Sequence, residues 1–384
     1  MIRTMNYLQY IHSVYQPDYL TDIRYLVSGI DFRVRKVLGQ YIVNSIYESG
    51  KTLFILDGTQ GGSTFIDFGN FKVMNPLNGD VNLCHNLFEV SSLKEVSRLR
   101  SMLSDFGFDE GKAMKVISYL SFVKETERRL GNHCPLSIEV LEQYGGTSMV
   151  KCKLLRLVEN GMLSKDSYEY LLCRYTEVSG AAADFEMFLV MLTPFLSGDF
   201  QPSSGMAVHL PVGAFATDRP MQEVMCKLMI SYIKNQPTAC SVLIVEDGKC
   251  DPGCIIGVLK TLPTVTDVHF FTTDAFSMQD EDLSVLMNTF PVRIYSRHHY
   301  MSSCSKIEEC CGHVDVVKRS YTTTIDKRIR ASTAFDMLLG TNRTEAEIRN
   351  APVREARYRK ETINALSPGA AIIDCGGTQA LFQF

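Results

Sequence analysis

The sequence lacks a long apolar run and a secretory leader. No window approaches the roughly 18 consecutive apolar residues of a membrane-spanning helix, and the longest candidate, Phe185 to Leu196, is short and contains Glu186. Met1 to Leu20 has no apolar core of the length that a secretory signal needs. These absences predict a cytoplasmic protein that reaches a membrane only through a partner.

The sequence also has no excess of positive charge. The formal net charge is −4 and the isoelectric point is about 6.1, so the chain has no global basic field of the kind that tight nucleic-acid binding uses. We find no internal repeat and no low-complexity tract. The 384 residues, of which 45% are hydrophobic, suffice for two globular domains or for one domain with a large insertion.

Twelve cysteines are spread along the chain, and most lie within apolar runs. Because no secretory signal is evident, we expect reduced thiols that pack as small apolar side chains. His298, His299 and His313 lie near three cysteines and invite a zinc interpretation. Their spacing matches no closed tetrahedral pattern, so we predict no metal site.

The stretch from residue 24 to residue 58 has the pattern of a strand, a helix and a second strand. Arg24 to Ser28 is a short apolar run, and Thr52 to Leu56 is a continuous one closed by Asp57-Gly58. Between them, Val34 to Ile46 has apolar residues at helical spacing. Two buried strands joined by a helix form a βαβ unit, so we expect a parallel sheet here.

From residue 86 to residue 202, helix caps and 3.6-residue spacing replace the strand patterns. This change predicts an all-α insertion, with residues 1–85 and 203–384 as the first and second parts of one α/β domain. Within the second part, strand and helix patterns alternate again, which indicates a three-layer, mainly parallel sheet.

The end of the sequence contains two further helical patterns and a hairpin pattern. Ala331–Leu339 and Thr344–Ala365 have helical spacing. Ala370–Asp374 and Ala380–Phe384 are apolar and flank Gly376-Gly377, which predicts a closing hairpin.

The turn after the first strand resembles part of a phosphate-binding loop, G-x-x-x-x-G-K-[ST]. Gly29 occupies the first glycine position. Val34 stands at the second glycine, Arg35 at the lysine and Lys36 at the hydroxyl residue. Val34 places a branched side chain where the backbone should approach phosphate, and Asp31 adds negative charge. Either the loop is degenerate but still attracts an anion through its helix N-terminus, or this is an ordinary βα turn with solvated basic residues.

A second signal is the apolar run Val242 to Val245, followed by Glu246 and Asp247. It has the pattern of a Walker B strand, in which an aspartate orders Mg²⁺ and a following glutamate polarises the attacking water. Here the two acids are in the reverse order. Their side chains differ by one methylene, so both carboxylates shift by about 1 Å, which can cost about a hundredfold in rate. The alternative is a strand that ends in a polar loop.

A basic cluster follows the apolar run at residues 292–295. It consists of Arg293, Arg297, His298 and His299. Such a cluster predicts either a contact with an anion or an exposed strand end.

Together these patterns resemble the RecA-like motor domain of type IV secretion coupling proteins (the TraG/TraD class), of related conjugation ATPases and of FtsK/HerA-type pumps. The resemblance covers nearly the whole chain from residue 24, and it rests on the order of the motifs rather than on any one of them. The motifs are Gly50-Lys51-Thr52-Leu53-Phe54-Ile55-Leu56-Asp57-Gly58, Asn75-Pro76-Leu77, His209-Leu210-Pro211, Val242 to Asp247, Ser302 to Ile307 with Gly312, and Leu366 to Ile373.

The resemblance implies a three-layer RecA-like α/β fold with an all-α insertion, and it assigns residues to chemical positions. The cofactor-binding positions are Gly29, Val34, Arg35, Lys36 and Asp57, and the catalytic positions are Glu246, Asp247 and Ser302. Arg35 replaces the family's lysine, Lys36 its Mg²⁺-binding hydroxyl, and Ser302 its sensor glutamine. We also expect no counterpart of the family's N-terminal membrane anchor.

These departures predict a pseudo-ATPase that keeps a motor fold without hydrolysis, with no firmly bound cofactor. We expect a structural or regulatory subunit of a conjugation or type IV secretion-like machine, in a homo- or hetero-oligomer with other ATPase subunits and near the inner membrane only through a partner. Two alternatives stay open. The first is an active divergent ATPase that drives DNA or protein transfer and binds ATP and magnesium, with Arg35 or Lys36 as the phosphate cation. The second is a DNA-binding subunit that uses Arg328, Arg330 and residues 297–299, against which the acidic net charge counts.

Overall fold

The structure, a computed structural model, describes most of the chain. The described residues are 7–15, 23–59, 66–83, 88–132, 136, 138–192, 195, 201–324 and 345–384.

A mixed, mostly parallel sheet forms the centre of the described fold. Its strands, together with those of a separate ribbon, are β1 (Tyr25–Ser28), β2 (Thr52–Gly58), β3 (Lys72–Met74), β4 (Met206–Leu210), β5 (Cys240–Glu246), β6 (Asp267–Thr272), β7 (Val292–Tyr295), β8 (His313–Thr324), β9 (Glu345–Ala356), β10 (Ala370–Cys375) and β11 (Thr378–Gln383). Nine of them form the sheet in the order β11-β10-β7-β1-β6-β5-β2-β4-β3. Within the described sheet, β10 runs in the opposite direction to the other strands, so it pairs antiparallel with both β7 and β11.

Helices cover both faces of the sheet. They are α1 (Tyr7–Tyr15), α2 (Phe32–Glu48), α3 (Leu93–Asp105), α4 (Glu110–Arg129), α5 (Ile138–Glu142), α6 (Thr147–Glu159), α7 (Lys165–Leu192), α8 (Arg219–Asn235), α9 (Pro252–Thr261), α10 (Asp280–Thr289), α11 (Met301–Cys311) and α12 (Lys360–Asn364). The predicted three-layer, mainly parallel α/β fold is therefore confirmed.

Strand β5 shows how the two faces are divided. Val242 and Ile244 belong to one hydrophobic cluster, and Leu243 and Val245 belong to the other, because successive side chains of a strand point to opposite faces. The second cluster includes the buried side of α2, as the spacing of Val34 to Ile46 predicts.

The helices from α3 to α7 lie between β3 and β4 in the chain. Ser92 and Glu95 form a reciprocal capping box at the start of α3. The helices share one hydrophobic cluster with the sheet, since Leu99 and Phe185 belong to the same cluster as Phe54. The boundaries of the all-α insertion at residues 86 and 202 remain a prediction.

The prediction of a helix over Thr344–Ala365 is wrong. Glu345–Ala356 is strand β9, which pairs antiparallel with β8 in a two-stranded ribbon, and helix α12 covers only the end of the predicted range. Pro352 explains the preference, because a proline costs about 3 kcal/mol inside a helix but is tolerated on an edge strand. The helix predicted at Ala331–Leu339 lies outside the described residues.

Among the described residues, no helix combines the length and the apolar character that crossing a bilayer requires. The hairpin predicted around Gly376-Gly377 is confirmed, because β10 and β11 pair antiparallel on either side of it.

Candidate functional site

The candidate site lies where the carboxyl ends of β1, β6 and β5 meet. Strand β6 separates the other two, and Thr272 at its end pairs with Ser28 of β1 on one side and with Glu246 of β5 on the other. In open α/β sheets, ligands bind at the carboxyl ends of the strands. The sheet therefore brings together the predicted loop and the predicted acid pair.

The turn between β1 and α2 is short. Strand β1 ends at Ser28 and α2 begins at Phe32, so Gly29, Ile30 and Asp31 form the whole connection. A phosphate loop has four residues between its two glycines. Here Phe32 and Arg33, which would belong to that loop, already form the first turn of the helix.

The backbone N–H groups of this turn donate to acceptors of the same chain. Gly29 N–H donates to Thr272 O over 3.1 Å, and Ile30 N–H donates to Arg297 O over 2.9 Å. Asp31 N–H donates to Ser296 Oγ over 3.4 Å. A phosphate loop holds its ligand with such N–H groups, and all three are used internally.

Asp31 caps helix α2 and ties it to a distant loop. Its Oδ1 accepts from Val34 N–H over 3.0 Å, and its Oδ2 accepts from Gly369 N–H over 2.8 Å. A carboxylate is favourable at a helix N-terminus, for the same electrostatic reason that a phosphate is. The anion position at the start of α2 is thus filled by an anionic side chain.

Gly29 is required by close packing. Its φ is +131°, a conformation that L side chains rarely adopt, and an added Cβ would lie 2.1 Å from Ser296 Oγ. The segment that follows β7 therefore covers the turn directly. The close contact with Ser296 is enough to explain why this residue is glycine, and no bound phosphate is needed to explain it.

The three residues at the degenerate loop positions point in different directions. Val34 is fully buried in the core beneath α2. Arg35 is buried, and its Nη2 donates to Asp247 Oδ1 over 2.6 Å. Lys36 lies on the exposed side of the helix. Of these three, Arg35 is the one that contacts the acid pair.

Glu246 is buried and turned toward its own strand end. Its Oε2 accepts from Thr272 Oγ1 over 3.3 Å, and its Oε1 accepts from Gly248 N–H. Burial raises the pKa of Glu246 above its ordinary value, and nearby Asp247 adds to the rise, although these two hydrogen bonds act in the opposite direction.

Asp57, at the end of the apolar part of β2, has no exposed surface. Its Oδ1 accepts from Thr59 N–H over 2.9 Å and from Thr59 Oγ1 over 2.6 Å, and its Oδ2 lies 2.9 Å from His209 Nε2. Burial alone would raise the pKa of Asp57, but the hydrogen bonds from His209 and Thr59 outweigh it, and the pKa is lowered.

Ser302 lies in the first turn of α11, after β7, and is exposed. Its neighbour Ser303 is buried and donates to Asp274 Oδ2 over 2.6 Å. The side chain that reaches Glu246 from the neighbouring strand end is Thr272, and sequence reasoning missed it. The roles assigned to all eight predicted site residues remain predictions.

The interpretation of residues 293–299 as an exposed basic strand end is wrong for His298 and Arg293. His298 is 1% exposed, with Nδ1 2.8 Å from Ser296 O and Nε2 2.9 Å from Ser28 Oγ. Because a carbonyl only accepts, Nδ1 carries the hydrogen and Nε2 accepts from the hydroxyl. Burial lowers the pKa of His298, which matches this neutral form. Arg293 pairs with Asp374 over 3.0 Å.

Metal ligation is not favoured in the described part of the chain. No group of three or more His, Cys, Asp or Glu side chains is arranged there to hold a metal ion, and the described cysteines are free thiols. Arg328 and Arg330, proposed for a DNA contact, lie outside the described residues.

Comparison with solved structures identifies the fold. The plasmid coupling protein TrwB in complex with the non-hydrolysable GTP analogue GDPNP matches with a TM-score of 0.50 and 12% identity, over 94% of this chain and 85% of that chain. Unbound TrwBdeltaN70, a bacterial conjugative coupling protein, matches with a TM-score of 0.49 and 13% identity, over 94% and 84%. VirB4 of Thermoanaerobacter pseudethanolicus matches with a TM-score of 0.44 and 9% identity, over 94% and 89%.

The chain therefore has the RecA-like α/β fold of a type IV secretion coupling protein, as the order of its motifs predicts. At 12% identity this likeness concerns the fold alone. No protein-family model matches the sequence, and no curated protein matches it.

Proposed function

We propose that this chain is a pseudo-ATPase, a motor-fold subunit that does not hydrolyse ATP and that serves as a structural or regulatory part of a conjugation or type IV secretion-like machine. One observation carries the proposal. The carboxylate of Asp31 occupies the N-terminus of α2, where a nucleotide phosphate would lie, and it is held there by Val34 and Gly369.

Electrostatics supports the loss of nucleotide binding. A phosphate near the turn would meet Asp31 directly and Asp247 across the Arg35 pair. Like charges at short range repel, and the N–H groups that could compensate donate to Thr272, Arg297 and Ser296. Binding would require breaking these contacts as well as the ion pair.

The acid pair also fits hydrolysis poorly. Asp247 is bound to Arg35, and both Glu246 oxygens accept hydrogen bonds within the protein. Mg²⁺, a hard cation that binds oxygen ligands, would have to displace Thr272 and Gly248 from these oxygens. Lys36 lies on the exposed side of α2, whereas Arg35 is buried. In this arrangement Lys36 does not replace the family's lysine.

The machine role rests on the fold. A chain that keeps a coupling-protein fold while its phosphate turn is closed retains surfaces for assembly rather than for turnover. We therefore expect its partners to be other ATPase subunits of a secretion or conjugation machine, and we expect it to reach the inner membrane through them.

Calorimetry on the purified full chain with Mg²⁺-ATP and Mg²⁺-ADP tests the pseudo-ATPase. Nucleotide-using enzymes usually work with KM values from about 1 μM to 1 mM, and we expect no saturable binding in this range and no phosphate release. Glu246→Gln and Lys36→Ala serve as matched variants that should behave like the wild type. Mg²⁺-dependent turnover that Glu246→Gln abolishes would overturn the proposal in favour of a divergent ATPase.

Affinity purification of the full chain from its own cells tests the machine role separately. We expect a second ATPase with an intact phosphate loop to co-purify at a fixed ratio, as measured by mass spectrometry. Recovery without any motor or secretion component would contradict this role and would leave the nucleotide result standing.

A further inference from the structure

The two edges of the central sheet are built differently. Strand β3, at one edge, has three residues and includes Lys72, and β11, at the other, has six residues. Natural proteins protect an edge from pairing with another chain by keeping it short or by placing lysine, another charge or proline on it. The β3 edge has two of these protections.

Strand β11 has none of them. Its sequence, Thr-Gln-Ala-Leu-Phe-Gln, contains no charged residue and no proline. All six residues pair with β10, which holds the strand extended. No strand lies beyond β11 in the described part of the chain, so the N–H and C=O groups on its outer side face no β-strand there.

The two faces of β11 also differ. On one face, the rings of Phe382 and Tyr10 of α1 lie 5.2 Å apart, centroid to centroid. On the other, Leu381 is 52% exposed and borders an open groove of about 660 Å³ between the strand and α12. An uncharged edge strand beside such a groove is open to pairing with another strand.

We propose that β11 pairs antiparallel with β11 of a second copy of this chain and so joins two central sheets across a two-fold axis. Self-pairing places each side chain near its own counterpart, and like charges placed opposite each other are destabilising. An uncharged strand is what such pairing requires. The axis keeps each side chain on its own face of the sheet, so one residue must lie opposite itself. With the axis at Leu381, residues 379–383 pair and Leu381 of one copy lies opposite Leu381 of the other.

The contact is small, so the dimer is concentration-dependent. A single strand pair buries less area than the roughly 1,200 Å² of the smaller stable interfaces, which places it among transient contacts. We expect a dissociation constant on the order of 10–100 μM. The surface lies outside the β1–α2 turn, so the nucleotide experiments neither support nor weaken this inference.

Sedimentation of the full chain across about 5–500 μM, a range that brackets such an affinity, tests the proposal. We expect a monomer–dimer equilibrium that Leu381→Lys weakens at least tenfold, because two lysines then approach across the axis. Val265→Lys is the matched control and should leave the equilibrium unchanged. Val265 is 59% exposed and lies just before β6, which is four strands away from β11 in the sheet. Circular dichroism verifies that each variant is folded. If Leu381→Lys is not, Gln383→Lys replaces it, because Gln383 is an exposed residue of the paired stretch and a lysine there opposes pairing.

Hydrogen exchange gives the second readout. Amides of β11 should become more protected as the concentration rises, while those of β3 should not change. A chain that stays monomeric throughout the range overturns the proposal, as does an association that neither β11 variant weakens. Pairing of β11 with a strand of a different protein would give the monomeric result.

Discussion

Two buried carboxylates at neighbouring strand ends have opposite electrostatic behaviour. Asp57 ends the apolar part of β2 and Glu246 ends β5, and the residue after Asp57, Gly58, pairs directly with Glu246. The pKa of Asp57 is lowered and that of Glu246 is raised. Burial acts in the same direction on both, so the difference comes from their neighbours: His209 and Thr59 lower the pKa of Asp57, whereas the charge of Asp247 adds to the rise at Glu246.

Asp57 receives donors on both oxygens from Thr59 and His209, at 2.6–2.9 Å. Glu246 accepts from the backbone N–H of Gly248 and, over a longer 3.3 Å, from Thr272 Oγ1, and the backbone of Cys250 also lowers its pKa. The neighbouring charge of Asp247 acts in the opposite direction and helps to raise it. The ionised form is thus favoured for the carboxylate that links β2 to β4, and disfavoured for the one at the predicted catalytic position.

The largest expected effect on stability comes from removing the charge of Asp57. Asp57→Asn should destabilise the protein by about 3 kcal/mol at pH 7, because an amide cannot replace the charge and turns donors toward Thr59 and His209. Urea unfolding measures the loss. Glu246→Gln is the matched variant, and equal losses in the two variants would contradict the comparison.

Asp31 extends the comparison to a carboxylate held by two backbone donors. Asp31→Ala should cost about 2 kcal/mol, because α2 loses its cap and the N–H of Gly369 loses its acceptor. Asp109, which caps α4 through Lys112 N–H alone at an exposed position, is the control, and Asp109→Ala should cost about 1 kcal/mol. If Asp31→Ala lost no more stability than Asp109→Ala, the hydrogen bond between Asp31 and Gly369 would not stabilise the protein.

The pH dependence of stability tests the lowered pKa of Asp57. A carboxylate whose pKa is lower in the folded state stabilises the fold above its ordinary pKa of about 4, and this stabilisation is lost as the pH falls through the folded value. The difference in unfolding free energy between wild type and Asp57→Asn should therefore shrink below about pH 4. Urea titrations at stepped pH measure it, and a difference that widens in acid would have the wrong sign.

The smallest effect is expected at Glu246. Its raised pKa means that ionisation opposes folding at neutral pH, so Glu246→Gln should stabilise the protein by less than about 1 kcal/mol at pH 7. The gain should vanish as the pH falls through the raised folded pKa toward the ordinary value of about 4, since wild-type Glu246 is then neutral too. A clear loss of stability at pH 7 would show that the ionised form is favoured after all.

Local patterns explain why part of this architecture is visible in the sequence. The strand, helix and strand between residues 24 and 58 follow from apolar spacing within a single stretch, and the structure confirms them. The helix predicted over Thr344–Ala365 fails because helix-forming residues there pair with β8, more than 20 residues earlier. Pro352 was the local signal against it.

The candidate site is less visible because its contacts come from distant segments. Arg35 and Asp247 could be selected as members of two motifs, but nothing local shows that they pair. Ser296 and Thr272 cover and flank the turn only because β7 and β6 lie on either side of β1. His209 appears in the sequence only as part of a short motif, and its partner Asp57 is 152 residues away.

The bond between Asp31 and Gly369 has a consequence for the order in which the protein folds. Its two ends are 338 residues apart, and β1 cannot pair until β6 and β7 have been made. At about 5–20 residues per second, the turn closes roughly 20–70 s after Asp31 is synthesised. The helices α3–α7 emerge well before then and make mainly short-range contacts, which form fast. During translation, β1 therefore has no strand to pair with until β6 and β7 are made, although α2 can already pack on β2, which is synthesised directly after it.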